Sequence, residues 1–441
     1  MSDAQHDDGP ATGDAPGRSA GVSRRVVMTG MPASGHVNPS LPLVRELVGR
    51  GVDVTYYSTG EFAHAVERAG AKFRAYPEGA IGSRDIAAAT QSGSSVRVVA
   101  KVLEATMSLV PFLREEFARE RPDAVAYDSN ALWGRVTAAG LGLPTISFMT
   151  TMLLGPADFR GLTAREWAYT LRLMLPDFPR AVRARRRVLG RFGREVVPST
   201  PMLPMFGDLT LFPIPREIQP SNSRLDESCH FVGPTVDPVD PVSPVNNALR
   251  DTELDAELSA HVDGADPVVL VSLGTLHAGT GEFFRTCFTA LADLPARVVL
   301  AVGHSTDPAR LGRPPANTLV RTTVPQLEIL RRTAAFVTHG GMNSALEALA
   351  YGVPLVVVPQ QVEQLVIGRT IAERGAAVVL RQHLSRRPVP AGELRAAVER
   401  TLSEPSARDR ALALGAAFGS GAGAVAGAEL VQEFLRRNRP H

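Results

Sequence analysis

The sequence predicts an α/β protein built from two Rossmann-like domains, and three stretches carry that prediction. Residues 26–57 read as strand, glycine-broken loop, amphipathic helix and strand, which is how a doubly wound sheet opens. Residues 334–358 repeat that order. A short apolar strand meets a Gly-Gly turn, then a helix stopped by Gly352 and Pro354, then another apolar strand. Between the two lies a run holding Pro213, Pro215, Pro220, Pro234, Pro238, Pro241 and Pro244, the composition of an interdomain linker. A chain of 441 residues has room for two or three such domains.

The elements follow in order. Residues 1–23 are polar, acidic and rich in Gly and Ala, without the apolar core of a signal peptide, and read as a disordered tail. The first domain spans 24–212. Its opening strand is 26–29, a helix covers 40–49, and a second strand covers 52–57. Residues 81–95, rich in Gly, Ser and Ala, read as a mobile loop. The glycine-free run 100–119, with Val102, Met107, Leu109, Val110 and Leu113, reads as a helix. Residues 122–128 form a strand that ends in Asp128, and 143–150 form another. Residues 151–204 mix Phe159, Trp167, Tyr169, Leu171, Leu173, Met174 and Leu175 with many arginines. That pattern fits an amphipathic helical insertion, which could wall a pocket, serve as plain structural helices, or rest on a membrane surface. After a linker at 213–250, the second domain covers 251–423. It reads as a helix near 252–261, a strand at 267–275, a helix near 282–291, and strands at 297–302 and 318–322. The 334–358 unit follows, then helix, turn and strand through Leu380 and a helix at 393–402. A last helix occupies most of 424–441.

Bulk composition narrows the function classes. Lys+Arg 47 against Asp+Glu 45 leaves a net charge of +2, which gives no reason to expect a nucleic-acid partner. Cys229 and Cys287 are too few for a disulfide framework or a cysteine zinc site and suit a reducing cytoplasm. No run of eighteen apolar residues occurs, so no membrane span is expected, and membrane contact is the least favoured of the three readings of 151–204.

The chemistry gathers in two places. Gly340-Gly341 feeds a helix start, where unpaired backbone N–H groups and the positive end of the helix dipole suit a phosphate. His339, Asn343 and Ser344 add side-chain donors, Glu347 lies one turn into the helix, and Glu363-Gln364 follows the next strand. Phosphate donors at one end and a carboxylate–amide pair at the other suit a nucleotide joined to a sugar. The second place is the loop 30–39. Gly30 and Gly35 have P-loop spacing, but His36-Val37 stands where a P-loop needs Lys-Ser/Thr, and the G-x-G-x-x-G pattern also fails. His36 either packs the loop or acts as a base, since imidazole titrates near neutrality. Asp128 either orients such a base or caps the helix expected near Ala131.

Residues 323–364 resemble the donor-binding signature of the nucleotide-sugar glycosyltransferases of the GT-B fold, the UDP-glycosyltransferase superfamily. Within it the chain most resembles bacterial enzymes that glycosylate macrolides and other natural products. The resemblance extends over nearly all of 24–437 and implies two Rossmann-like domains facing each other across a cleft, with the last helix bracing the first domain. It implies that His339, Gly340, Gly341, Asn343 and Ser344 hold the diphosphate, with Ser272, Gly274 and Thr275 as a second phosphate contact. Glu347 would bind the ribose hydroxyls, Glu363 and Gln364 the sugar, and Val324 and Gln326 would lie at the base-contacting turn. Thr323 departs from the pattern, because many members carry a Trp there that stacks on the base. Gly35-His36-Val37-Asn38-Pro39 is similar to the segment whose His is the general base, and Asp128 matches its acidic partner.

The implied reaction is a metal-independent, inverting transfer from a UDP- or dTDP-sugar to a hydroxyl of a small apolar acceptor such as a macrolide, polyketide or flavonoid. The nucleotide sugar is a co-substrate, and no cofactor is implied. The chain has no Asp-x-Asp pair of the kind metal-dependent transferases use. Two rivals stand beside this reading: another enzyme, either a GT-B transferase with a lipid acceptor or a sugar-nucleotide epimerase, and a catalytically silent nucleotide-binding partner of another transferase. Joint retention of His36, Asp128, Glu363 and Gln364 disfavours the silent partner.

Overall fold

Two parallel sheets make up the frame of the computed structural model, which describes residues 23–199, 203–235, 255–274, 281–304, 306–417 and 422–438. The first sheet holds β1 (Arg25–Thr29), β2 (Asp53–Ser58), β3 (Lys72–Ala75), β4 (Ala124–Asp128), β5 (Thr145–Phe148), β6 (Leu209–Phe212) and β7 (Cys229–Phe231). Its spatial order is β3-β2-β1-β4-β5-β6-β7. The second holds β8 (Val268–Ser272), β9 (Arg297–Ala301), β10 (Thr318–Arg321), β11 (Thr333–Thr338), β12 (Leu355–Val357) and β13 (Ala377–Val379), in the order β10-β9-β8-β11-β12-β13. Every pairing is parallel. The central strands are apolar runs rather than alternating ones because helices cover both faces of each sheet. Val269, Leu270, Val271, Phe336, Val337, Val356 and Val357 are all buried. Strand order reverses between β1 and β4 and again between β8 and β11. Each reversal opens a crevice at the carboxyl ends of the strands, where ligands bind in open α/β sheets.

Several elements differ from the sequence expectation. β3 is an edge strand whose charged Lys72 and Arg74 hide its strand character, as charged edges commonly do. The first sheet also runs on into the proline-rich stretch expected to be linker. Cys229–Phe231 pairs with β6, and Phe231 stacks on Phe212 with ring centroids 4.5 Å apart. Thr235 Oγ1 then donates to the Pro39 carbonyl at 2.6 Å, so the first domain reaches at least residue 235. The rest of the expected linker and the tail 1–22 lie outside the described residues. Residues 81–95 are not one loop, because Ser83–Gln91 is helical and buries Ile86 and Ala89. The following helix, Ser95–Glu120, begins earlier than expected because Ser94 Oγ caps it by accepting from the Arg97 N–H.

The insertion folds as helices Ala164–Met174 and Phe178–Phe192. The last helix, Ala422–Arg437, buries Ala428, Val431 and Leu435 in the core of the first domain, beside Leu43, Leu47 and Leu211. Gly427 permits the close approach, since a Cβ there would lie 3.2 Å from Leu43 Cδ1. Residues 405–437 are long and apolar enough to cross a membrane by composition, a test that a core helix also passes. Burial of one face of Ala422–Arg437 is the behaviour of a core helix.

Candidate active site

The loop after β1 is set by buried aromatic side chains. Gly30 lies against Tyr56, where a Cβ would come within 2.8 Å of the phenol oxygen. The Gly30 carbonyl accepts from Tyr76 Oη at 3.0 Å, and Tyr76 Oη in turn accepts from Trp133 Nε1 at 2.9 Å. On this support a single helical turn, Ser34–Val37, presents His36 at the crevice between β1 and β4. His36 Nδ1 lies 2.8 Å from Asp128 Oδ2. Asp128, at the end of β4, is only 2% exposed, against 21% for the His36 side chain.

Helix Leu132–Leu141 carries no side-chain cap, so Asp128 does not perform the capping duty read from the sequence. Its Oδ1 accepts the Asn130 N–H at 2.8 Å, holding the turn, while Oδ2 is left for His36. Thr150, just past β5, completes the group. Its hydroxyl is 2.9 Å from His36 Nδ1 and donates to Asp128 Oδ2 at 3.4 Å. With Nδ1 turned to the carboxylate, the proton sits on Nδ1 and the lone pair on Nε2, which is the tautomer a base needs. Burial pulls the imidazole pKa down, but the charge of Asp128, its hydrogen bond and the charge of Glu363 outweigh burial, holding it above the ordinary 6.5.

The second crevice is shaped around His339. Gly274, after β8, has φ +81°, and a Cβ on it would lie 2.7 Å from His339 Cε1. A Cβ on Gly341 would overlap His339 Nε2, so both glycines leave room for one imidazole. Gly340 (φ +81°) completes the turn, with space for a Cβ closed by Val357 Cγ1 at 2.6 Å and the Gln364 carbonyl at 3.2 Å. Helix Met342–Ala350 starts here with no side-chain cap, so its first N–H groups remain available to an anion. Ser272, buried at the end of β8, lies at the same edge, whereas Thr275 falls outside the described residues.

The polar residues of this domain form a cluster at each end of that turn. Gln326 Nε2 donates to Ser344 Oγ at 3.2 Å and to Glu347 Oε2 at 2.7 Å. Burial pushes the Glu347 carboxyl up to about 7, and the Gln326 bond offsets it only in part. Val324 packs its side chain against the core of the second domain. At the other end, Asn343 Nδ2 crosses the cleft to the Gly35 carbonyl at 2.9 Å, next to His36. Glu363 accepts from the Thr151 hydroxyl of the first domain. Burial raises the Glu363 pKa, against smaller opposing effects of Thr151 and His36. Gln364 is buried on helix Val362–Ala372, and its Oε1 accepts the N–H groups of Gln360 (2.7 Å) and Gln361 (3.2 Å), closing the loop after β12.

The structure therefore brings His36, Asp128, Asn343 and Glu363 to one place, and Gln326, Ser344 and Glu347 to another. Thr150 and Thr151 had no role in the sequence reading. The signal for them was their position, since hydroxyls just past a parallel strand lie at its ligand edge.

Glu347 yields a prediction. A folded-state carboxyl raised from 4.5 to about 7 means that its ionisation opposes folding, and this cost appears as pH rises from about 4.5 through 7. Glu347→Gln should raise thermal stability at pH 8, by at most about 3 kcal/mol, and leave it unchanged near pH 4. If Glu347 also holds the ribose of a nucleotide, as the sequence resemblance implies, the same variant should weaken UDP binding. Thermal melts at the two pH values with UDP titration check this, and a variant destabilised at pH 8 would refute it.

Residues 229–418 match the family described as UDP-glucoronosyl and UDP-glucosyl transferase. NDP-glycosyltransferase YjiC of Bacillus licheniformis is 30% identical over 416 residues, covering 93% of this chain and 98% of the relative. Demethyllactenocin mycarosyltransferase of Streptomyces fradiae is 30% identical over 361 residues, covering 78% and 72%. Among solved structures, the glycotransferase of kitacinnamycin matches with a TM-score of 0.74 and 29% identity, over 95% of this chain and 99% of that one. With two opposed switch-point sites and a likeness that runs almost end to end, the chain belongs to the UDP-glycosyltransferase family, as a GT-B glycosyltransferase similar to those of macrolide and natural-product pathways.

Proposed function

We propose that the protein transfers a sugar, with inversion, from a UDP- or dTDP-sugar to a hydroxyl of a small apolar natural product, using His36 as general base. The observation that carries this is the His36–Asp128–Thr150 group at the first switch point, with Glu363 of the facing domain close enough to influence His36. In this reading the acceptor hydroxyl gives its proton to His36 Nε2 as its oxygen bonds to the anomeric carbon and the bond to the diphosphate breaks. Asp128 steadies the imidazolium. Charge growing on the leaving diphosphate meets the first-turn N–H groups of Met342–Ala350 and the side chains of His339, Asn343 and Ser344, with Ser272 and Gly274 on the other edge.

Glu347 takes the ribose hydroxyls, and Glu363 with Gln364 takes the sugar. Val324 and Gln326 border the base, which has no aromatic platform at Thr323. No cofactor or metal is required, because protein donors meet the diphosphate charge. The acceptor lies against the insertion after β5, and the two thiols suit a cytoplasmic enzyme. One feature favours a second reading, a lipid-borne acceptor. Trp167, Leu171, Leu175, Phe178 and Val182 are exposed along the arginine-rich helices.

Mass spectrometry of reactions offering UDP-glucose or a dTDP-sugar with macrolides, polyphenols and lipid acceptors, in excess chelator, tests the proposal. A hexose-sized mass gain, β-linked by NMR from an α-linked donor and indifferent to chelator, is expected. An α-linked product would refute single displacement, and loss of activity on chelation would refute metal independence. Product from lipid acceptors alone would select the second reading.

A further inference from the structure

The insertion of the first domain is fastened to the second by an ion pair with a buried carboxylate and a half-buried arginine. Glu166, 4% exposed, receives Arg381 Nε on Oε1 at 2.8 Å and Arg381 Nη2 on Oε2 at 2.5 Å, a two-pronged bond across the domains. Glu166 Oε2 also accepts the Thr163 N–H (2.7 Å) and hydroxyl (2.9 Å), so the carboxylate is held by its own helix start as well as by the arginine. Arg381 Nη2 and Arg369 Nη2 both donate to the Gly161 carbonyl, at 2.9 and 3.2 Å. Beneath these bonds, Leu162 packs with Leu365 and Leu384 in a small apolar cluster of its own.

The second-domain half of this contact lies on the elements that hold the candidate donor site. Leu365 directly follows Glu363 and Gln364 on helix Val362–Ala372, and the Gln364 carbonyl lies against Gly340 of the diphosphate turn. A continuous set of packed groups thus joins the turn 339–341 to residues 161–166. Removing Arg381 leaves the buried Glu166 carboxylate with only its Thr163 hydrogen bonds.

We infer that Arg381 and Glu166 are positioning residues that fix the 156–167 segment, at the acceptor side of the cleft, to the donor domain, so that nucleotide-sugar binding orders both. The inference rests on the donor-site reading above. Coupling between sites is a difference in free energy that each site exerts on the other, so filling the donor site stiffens the acceptor wall.

Hydrogen–deuterium exchange on the full chain tests this, with UDP-glucose and dTDP-glucose as probes. In wild type, at least one probe should slow exchange in peptides covering 339–347 and also in 156–167. In Arg381→Met the slowing at 339–347 should persist while that at 156–167 is lost, and Arg381→Lys should fall between. Glu166→Gln keeps an acceptor for Thr163 but removes the charge, and should show the same selective loss. It decides the matter if Arg381→Met does not fold. Nucleotide-dependent slowing at 156–167 that survives in these variants, or never appears in wild type, would overturn the inference. If neither probe slows exchange at 339–347 in wild type, the donor-site reading itself fails, and the coupling fails with it.

Discussion

His36→Ala should lower kcat by about 10²–10⁴-fold, the usual worth of a positioned general base, while leaving UDP affinity and thermal stability close to wild type. His36 sits on a single turn at the cleft rim, and Ala suits that backbone, so the loss is chemical rather than structural. The wild-type pH profile provides a second test. A base works only when unprotonated, so kcat/KM should rise with pH through the pKa of His36 in the free enzyme. Asp128 and Glu363 hold that pKa above 6.5, which places the rise on the alkaline side of an ordinary histidine. In His36→Ala the residual rate should lack that limb. A variant that keeps wild-type kcat, or a wild-type profile flat across neutral pH, would remove His36 from the mechanism.

The parts of the fold legible in the sequence were those where local pattern and site chemistry coincide. The Gly-Gly turn at 340–341 and the loop 30–39 each follow a central apolar strand, and such strands announce themselves in both composition and length. What stayed hidden depends on partners distant in the chain. β7 reads as linker because prolines surround it, and it is a strand only because β6 offers an open edge. Ser83–Gln91 holds three alanines, but Gly82 before it and Ser92-Gly93-Ser94 after it give the stretch a loop composition, and its helix is fixed by packing Ile86 and Ala89 into the core.

The same holds for the candidate site. His36, Asp128 and the 339–364 residues could be named because their stretches resemble a known donor-binding signature and its His-bearing loop, whereas residue type alone left His36 and Asp128 with two readings each. Thr150 could not, since a threonine at the end of a strand is ordinary until His36 is found 2.9 Å away. The Glu166–Arg381 pair is invisible in the same way. Glu166 forms a capping box with Thr163, a local role that gives no pointer to Arg381.

Asp128→Asn separates orientation from electrostatics at the base, and its expected effect is of the same order. Asn keeps Oδ1 as an acceptor for the Asn130 N–H, so the turn after β4 survives. Its amide, however, offers Nδ1 of His36 a donor where a carboxylate stood. The imidazole then favours the other tautomer, with its proton on Nε2 facing the acceptor, and cannot take a proton there. Base–carboxylate pairs altered this way lose about 10⁴-fold in kcat.

The pH profile should move as well, in a direction fixed by the balance at His36. Burial lowers its pKa, and the two contributions of Asp128 reverse that. With both removed, only Glu363 opposes burial, so the rising limb should shift to lower pH even as the plateau falls. A fall in rate with an unmoved limb would mean that Asp128 orients His36 without setting its charge. A loss under about 10-fold, far below the general-base range, would leave Asp128 with its turn-holding duty alone, and Thr150 as the hydroxyl that sets the His36 tautomer.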